Sequence, residues 1–150
     1  MDDALRDLLQ HGVPFAGFVG VDIADIADGR AVVVLPERPE LHNHLGTQHA
    51  GALFTAAEAA SGAAMVGAFA AQLARVRPVA AEATIRYVRL ARGAITATAT
   101  LDDAPDALRD RLAADGKVRF DATVALTDAD GREVAHATVA WHLSSTEGGP

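Results

Sequence analysis

Residues 49–75 read HAGALFTAAEAASGAAMVGAFAAQLAR, and the way this stretch folds decides the architecture. It contains no proline and is rich in good helix formers. Leu53, Phe54, Ala57, Ala60, Ala64, Phe69 and Leu73 recur at helical spacing. The pattern predicts one long helix from His49 to about Arg75. It is apolar almost all round, so it must be covered on most sides. Its small residues, among them Gly51, Ala59, Gly62, Ala63 and Gly67, permit a sheet to approach closely.

The flanking segments supply that sheet. On the N-terminal side, FAGFVGVDIADIADGRAVVVLPER (15–38) reads as two β-type runs around Asp28-Gly29, a dipeptide suited to a tight hairpin. Pro36 and Pro39 close the second run, and the polar stretch ELHNHLGTQ (40–48) is a loop. After Pro78 the period changes to two. ATIRYVRL (83–90) and AITATATL (94–101) read as strands joined through Gly93. KVRFDATVALT (117–127) and REVAHATVAWHL (132–143) form a further pair around Asp128-Ala-Asp-Gly131. Between the pairs, Asp103 is a candidate cap, Pro105 opens a short helix with Leu108 and Leu112 as its stripe, and Gly116 ends it. Residues 1–12 form a short amphipathic helix stopped by Gly12 and Pro14, and 144–150 read as a frayed tail. The expectation is a single α+β domain over 1–150, with an antiparallel sheet of about six strands wrapped around one central helix. Clustered strands of this kind exclude a doubly wound βαβ alternation.

Composition narrows the function. The chain has 150 residues, is half hydrophobic, and has no cysteine, which excludes disulfides, thiolate metal sites and a cysteine nucleophile. A net charge of -7 argues against nucleic acid as partner. The acidic start MDDALRDLLQHG has no apolar core of a signal peptide, and no stretch is apolar and long enough to cross a bilayer. The reading is a soluble, cytoplasmic protein with neither nucleic acid nor membrane as partner. No phosphate-binding loop, dinucleotide fingerprint or serine-hydrolase elbow is present.

The chemistry concentrates around Asn43-His-Leu-Gly-Thr-Gln-His49-Ala-Gly51 and Glu58. Glu58 is a carboxylate inside the most apolar helix of the chain, where an unpaired charge is costly. That makes it a candidate base or nucleophile. At the helix start, the N–H groups of Ala50 and Gly51 point out of the first turn, where the dipole is positive, and can hold a developing oxyanion. Ala50 and Glu58 are eight residues apart, about 12 Å along a helix. One acyl carbon cannot touch both in the same helix, so a shared substrate requires two chains, as in a C2 dimer with two sites. His42, His44 and His49 invite a metal reading, but they sit in a loop without a well-placed Asp. Phe15, Phe18 and Trp141 read as core or pocket wall.

The order Asn43…Gly46-Thr-x-His49-x-Gly51…Glu58, followed by IRYVRLARG and closed by DADGREVAHATVAWHL, resembles the hotdog-fold acyl-CoA thioesterases, in particular the phenylacetate-pathway branch and its relatives. The resemblance covers most of residues 15–143. It implies a long helix wrapped by an antiparallel sheet, sites at a dimer interface, and no cofactor beyond the coenzyme A of the substrate. Carried across, Glu58 matches the catalytic carboxylate and the amide of Ala50 or Gly51 the donor to the thioester carbonyl. Asn43 matches the residue that positions water or the carboxylate, and His49 the motif histidine. The chain departs from the pattern at Ala50, where the family has glycine, and at Gly62, where one branch carries a hydroxyl; Ser61 is the hydroxyl next to it. Arg75, Arg77, Arg86, Arg89 and Arg92 concentrate positive charge, and Arg89 and Arg92 are the candidates for coenzyme A phosphates. Phe54 and Met65 are candidate walls of an acyl tunnel. The expected activity is hydrolysis of an acyl-CoA (or acyl carrier) thioester by a homodimer or dimer of dimers. Two alternatives fit parts of the pattern. A hotdog dehydratase or hydratase uses a His and an acid fourteen apart, as His44 and Glu58 are. A non-catalytic acyl-CoA binding module would bind without turnover.

Overall fold

The central helix, α3 (Ala50–Ala68), is the axis of the molecule, and the computed structural model describes residues 3–147 around it. Ahead of it come α1 (Asp3–Gly12), α2 (Pro14–Val19), β1 (Asp22–Ala27) and β2 (Arg30–Leu35). After it come β3 (Val76–Tyr87), β4 (Ile95–Leu101), α4 (Pro105–Asp115), β5 (Lys117–Thr127) and β6 (Glu133–Ser145). The strands form one six-stranded sheet in the order β1-β2-β4-β5-β6-β3, antiparallel throughout. This is the hotdog fold. The sheet curls around α3, helped by bulges between Ile23 and Asp25 in β1 and between Ala80 and Glu82 in β3.

The small side chains of α3 determine how close the sheet comes. A Cβ added at Gly67 would lie 2.1 Å from the Ala27 carbonyl oxygen and 2.9 Å from Ile26 Cγ2. Helix and strand therefore meet backbone to backbone here. Ala56, Ala60, Ala63 and Ala64 are wholly buried against Val33, Ala97, Ala99 and Val124 of the inner sheet face. Arg109 of α4 ties the far end together. It donates to the Ala68 carbonyl (2.6 Å) at the negative end of α3, to both carboxylate oxygens of Asp28 (2.9 and 3.2 Å) and to Asp106 (2.6 Å). The same guanidinium holds the Asp28 carboxyl below its usual range.

Several local expectations are corrected. The run from Phe15 to Val19 is helical rather than β. Pro14 opens it at the first helical position, and Gly20 closes it at φ 84°, donating to Ala16 O at 2.9 Å. Ala16 and Val19 face inward, whereas Phe15 and Phe18 are 64% and 80% exposed, so neither is core. The central helix stops at Ala68, short of Arg75, where Phe69 leaves the helical conformation (φ -117°, ψ 23°) and Arg109 takes the Ala68 carbonyl. Phe69 caps it, wholly buried and stacked on Phe120 with ring centres 5.6 Å apart, while Ala70 and Ala71 are exposed. A short 3₁₀ turn, Leu73–Arg75, leads into β3. That strand begins at Val76 and runs through Pro78, which is tolerated because β3 is an edge strand. Asp103 does not cap α4; Ala104 holds that place and Asp103 pairs with Arg111 at 2.6 Å. The expected tail is partly strand. Ser144 and Ser145 complete β6, and Thr146 N–H donates to Arg75 O at 2.8 Å. Residues 1–2 and 148–150 of the two expected terminal segments lie outside the described residues. Among the described residues, no helix is long and apolar enough to cross a membrane.

Gly67→Ala tests the close approach. Glycine to alanine inside a helix ordinarily stabilises by up to ~1 kcal/mol. At this position the added methyl has no room, and the variant is expected to be about 1–3 kcal/mol less stable, read as a lower denaturant midpoint.

Candidate active site

The loop before α3 is braced by polar side chains. The Asn43 amide donates to Thr47 Oγ1 (2.8 Å) and Gln48 O (3.3 Å), and its oxygen accepts from the N–H groups of Leu45 (2.9 Å) and Thr47 (3.1 Å). Both ends of the Asn43 side chain are thus engaged in shaping its own loop. Gln48, which the sequence reading passed over, is 2% exposed. Its Nε2 donates to Pro36 O (2.9 Å) and Gly93 O (3.0 Å), pinning the loop between the ends of β2 and β4. The clue available in the sequence was an amide inside the Gly-Thr-x-His motif. His42 pairs with Glu37 at 2.5 Å, and His44 is exposed. Among the described residues, no group of three or more His, Asp or Glu side chains is disposed to hold a metal.

The helix start discriminates between the two amides. His49 is the N-cap, and its Nδ1 accepts from the Gly51 N–H at 2.8 Å. This bond occupies the Gly51 amide and, in the neutral ring, leaves the hydrogen on Nε2. Ala52 N–H and Leu53 N–H both donate to His49 O (3.0 and 3.1 Å). The Ala50 N–H is first in the helix and has no intrahelical acceptor. It is therefore the amide open to a ligand, and Ala50 itself is exposed. Tyr87 reaches back from the end of β3 and donates its hydroxyl to Ala50 O at 3.1 Å, which fixes this turn against the sheet edge. Ala50, Asn43, Tyr87 and Arg89 line a depression of about 110 Å³. Arg89 donates to Glu133 O at 2.7 Å, while Arg92 is exposed on the loop beyond.

Glu58 lies two turns further along and opens into a different cavity. This chamber, about 250 Å³, is walled by α1, α2, β1 and one face of α3, and closed by Pro78 and Trp141. Its lining is apolar apart from Glu58, Gln10 and the indole nitrogen of Trp141. Burial pushes the Glu58 carboxyl above its ordinary value of 4.5. Among the described residues, no side chain or backbone N–H bonds this carboxylate. Met65 lines the chamber, but Phe54 is 38% exposed and lines neither cavity. Ser61 is also off the wall. It is fully buried, donating to Glu58 O (2.7 Å) and accepting from Trp141 Nε1 (3.1 Å), so it positions the indole and is not open to substrate. Within one chain, then, the carboxylate and the free amide face separate cavities.

Over residues 2–143 the chain matches the family described as "Domain of unknown function (DUF4442)", and it belongs to that family. No curated protein matches it. Among solved structures, it is 30% identical to a Pseudomonas aeruginosa protein of unknown function described as a probable thioesterase. That match has a TM-score of 0.85 and covers 97% of this chain and 96% of the other. It shares its fold with the Escherichia coli protein from the phenylacetic acid degradation operon, at 20% identity, TM-score 0.70, and coverage of 93% and 96%. It does so too with a Streptococcus pneumoniae protein called a hypothetical thioesterase, at 22% identity, TM-score 0.66, and coverage of 86% and 93%.

The raised Glu58 carboxyl has a consequence for stability. Its folded form holds a proton more readily than the unfolded chain does, so stability falls as pH rises from about 4.5 until the folded carboxyl has ionised. Glu58→Gln removes that slope. Denaturant midpoints measured across this window should converge at its acid end and favour the variant at its alkaline end.

Proposed function

We propose that this chain hydrolyses acyl-CoA (or acyl carrier) thioesters as a homodimer or dimer of dimers in the cytoplasm. The observation that carries the reading is an unpartnered, desolvated carboxylate in an apolar chamber, with a free helix-start amide in a second cavity of the same helix. The two are about 12 Å apart along α3, too far to serve one carbonyl. A second copy solves this when its helix start faces the first copy's Glu58. The surface left uncovered by this chain supports that arrangement. The β3 strand is an edge, and most of it is exposed on both faces, including the Ala80 and Ala83 positions that pair with inward-facing Trp141 and Val139. The description of the Pseudomonas aeruginosa neighbour supports thioester chemistry.

In this reading the thioester carbonyl sits under the Ala50 N–H of one protomer, which stabilises negative charge as it develops on oxygen. Glu58 of the other protomer takes a proton from water, and the oxygen adds to the carbonyl carbon. The tetrahedral adduct then collapses, the C–S bond breaks, and the thiolate takes up the proton held by Glu58. The products are the free acid and coenzyme A. Glu58 can instead attack directly and form an anhydride that water opens. Single turnover in heavy-oxygen water separates the two, because only the direct attack puts label into Glu58. Arg89, beside the helix start, is available to the phosphates of the thiol carrier.

The test is release of free thiol from an acyl-CoA panel. Glu58→Gln should lower kcat by about 10²–10⁴-fold while acyl-CoA still binds. Ala50→Pro removes one N–H at a position where proline suits a helix, and should cost about 10²–10³-fold. Mixing the two inactive variants should restore about a quarter of wild-type activity, because half the dimers then hold one intact site of two. Absence of recovery after subunit exchange overturns the shared site. Crotonyl-CoA hydration without hydrolysis would mark a hydratase instead.

A further inference from the structure

The chamber beside Glu58 is apolar, because the other polar side chains in its wall are engaged elsewhere. Gln10 of α1 donates its Nε2 to Val21 O (2.8 Å) and accepts the Ile23 N–H on Oε1 (2.9 Å). It thereby acts as an extra rung on the edge of β1 and holds α1 over the cavity. Trp141 directs its indole N–H to Ser61, away from the space its ring encloses. The Val21 N–H is bonded to Ala16 O at 3.2 Å, and Pro78 has no N–H to give. Among the described residues, Glu58 is the one polar side chain of the lining without a hydrogen-bond partner. A polar substituent on the part of an acyl group that lies beyond reach of Glu58 would therefore lose its water and find no partner, and a second carboxylate would in addition be repelled by Glu58.

Size sets the second limit. A cavity of about 150 Å³ already accommodates a benzene ring. At about 250 Å³ the chamber has room for one ring with its linking carbon, or for a chain of comparable bulk, but not for a long fatty chain.

We propose that this chamber is an acyl pocket selective for compact hydrocarbon groups without polar substituents, an inference that rests on the thioester reading above. Gln10, Gly62 and Trp141 determine the selectivity. Gly62 lies beside the indole, where an added Cβ would sit 3.4 Å from Trp141 Cζ2. That is ordinary contact, so Gly62→Ala fits without displacing the ring and narrows the space next to it.

Two measurements separate the pocket from the chemistry. In the first, kcat/KM is compared for phenylacetyl-, 4-hydroxyphenylacetyl-, butyryl-, hexanoyl-, adipoyl- and palmitoyl-CoA. The hydroxylated ring should fall on the order of 10–100-fold below the plain ring, and adipoyl further below hexanoyl. Gly62→Ala should lower the phenylacetyl-to-butyryl ratio about tenfold. In the second, the same thioesters are titrated calorimetrically into Glu58→Gln, where binding is read without turnover. Selective binding with no hydrolysis by wild type upholds the pocket and overturns the enzyme. Hydrolysis with equal preference for plain and hydroxylated rings, or unchanged ratios in Gly62→Ala, overturns the pocket and leaves the enzyme standing. No binding of any member together with no hydrolysis by wild type overturns both.

Discussion

Gly67 lies so close to the Ala27 carbonyl that no side chain fits between them, and the rest of the molecule is assembled under that constraint. A helix made of alanine and glycine offers little apolar area per residue, so it gains from burial only when neighbouring backbones come near. The sheet meets the demand by bending, with a bulge in each edge strand and its inner face of Val, Ala and Leu laid against α3. The larger side chains that a thicker core would need are correspondingly few. Phe69, at the end of the helix, stacks on Phe120 of β5.

The same economy of volume explains the chamber. One face of α3 carries Ala59, Gly62 and Ala63, which are too small to reach the N-terminal helices lying across it. What remains is a cavity with a carboxylate in its wall. Desolvation raises the proton affinity of Glu58, and among the described residues no cation lies close enough to offset it. The apolar helix and the perturbed acid thus have one physical cause.

The architecture was legible because its signals were periodic. The helical spacing of Leu53, Ala57 and Ala60, the alternation in AITATATL, and the Asp-Gly turns at Gly29 and Gly131 each depend on local geometry that tertiary packing did not override, whereas ATIRYVRL is strand only as far as Tyr87 and its alternation does not mark a buried face. Where periodicity was short, the reading failed. Phe15 to Val19 has strand-like composition over five residues, and Pro14 and Gly20 decide for helix. The end of α3 was invisible because Ala70 and Ala71 are as helical in propensity as what precedes them; the contacts made there are tertiary, Phe69 on Phe120 and Arg109 on the Ala68 carbonyl. The site was half legible. Glu58 and the helix start stand out by chemistry, but the choice of Ala50 over Gly51 depends on the His49 ring, and the burial of Ser61 depends on Trp141, eighty residues away.

The pairing of β3 carries a further meaning for how the chain is made. Its one neighbour in the sheet is β6, and the two are separated in sequence by β4, α4 and β5. As the polypeptide leaves the ribosome, Val76–Tyr87 emerges well before Glu133–Ser145 and waits with both margins bare. Earlier strands can assemble around the nascent helix, but the sheet cannot close on that side until translation has passed Ser145. Completion of the fold is thereby coupled to synthesis of its last strand, and an interrupted product would present an unpaired twelve-residue strand to whatever lies near it.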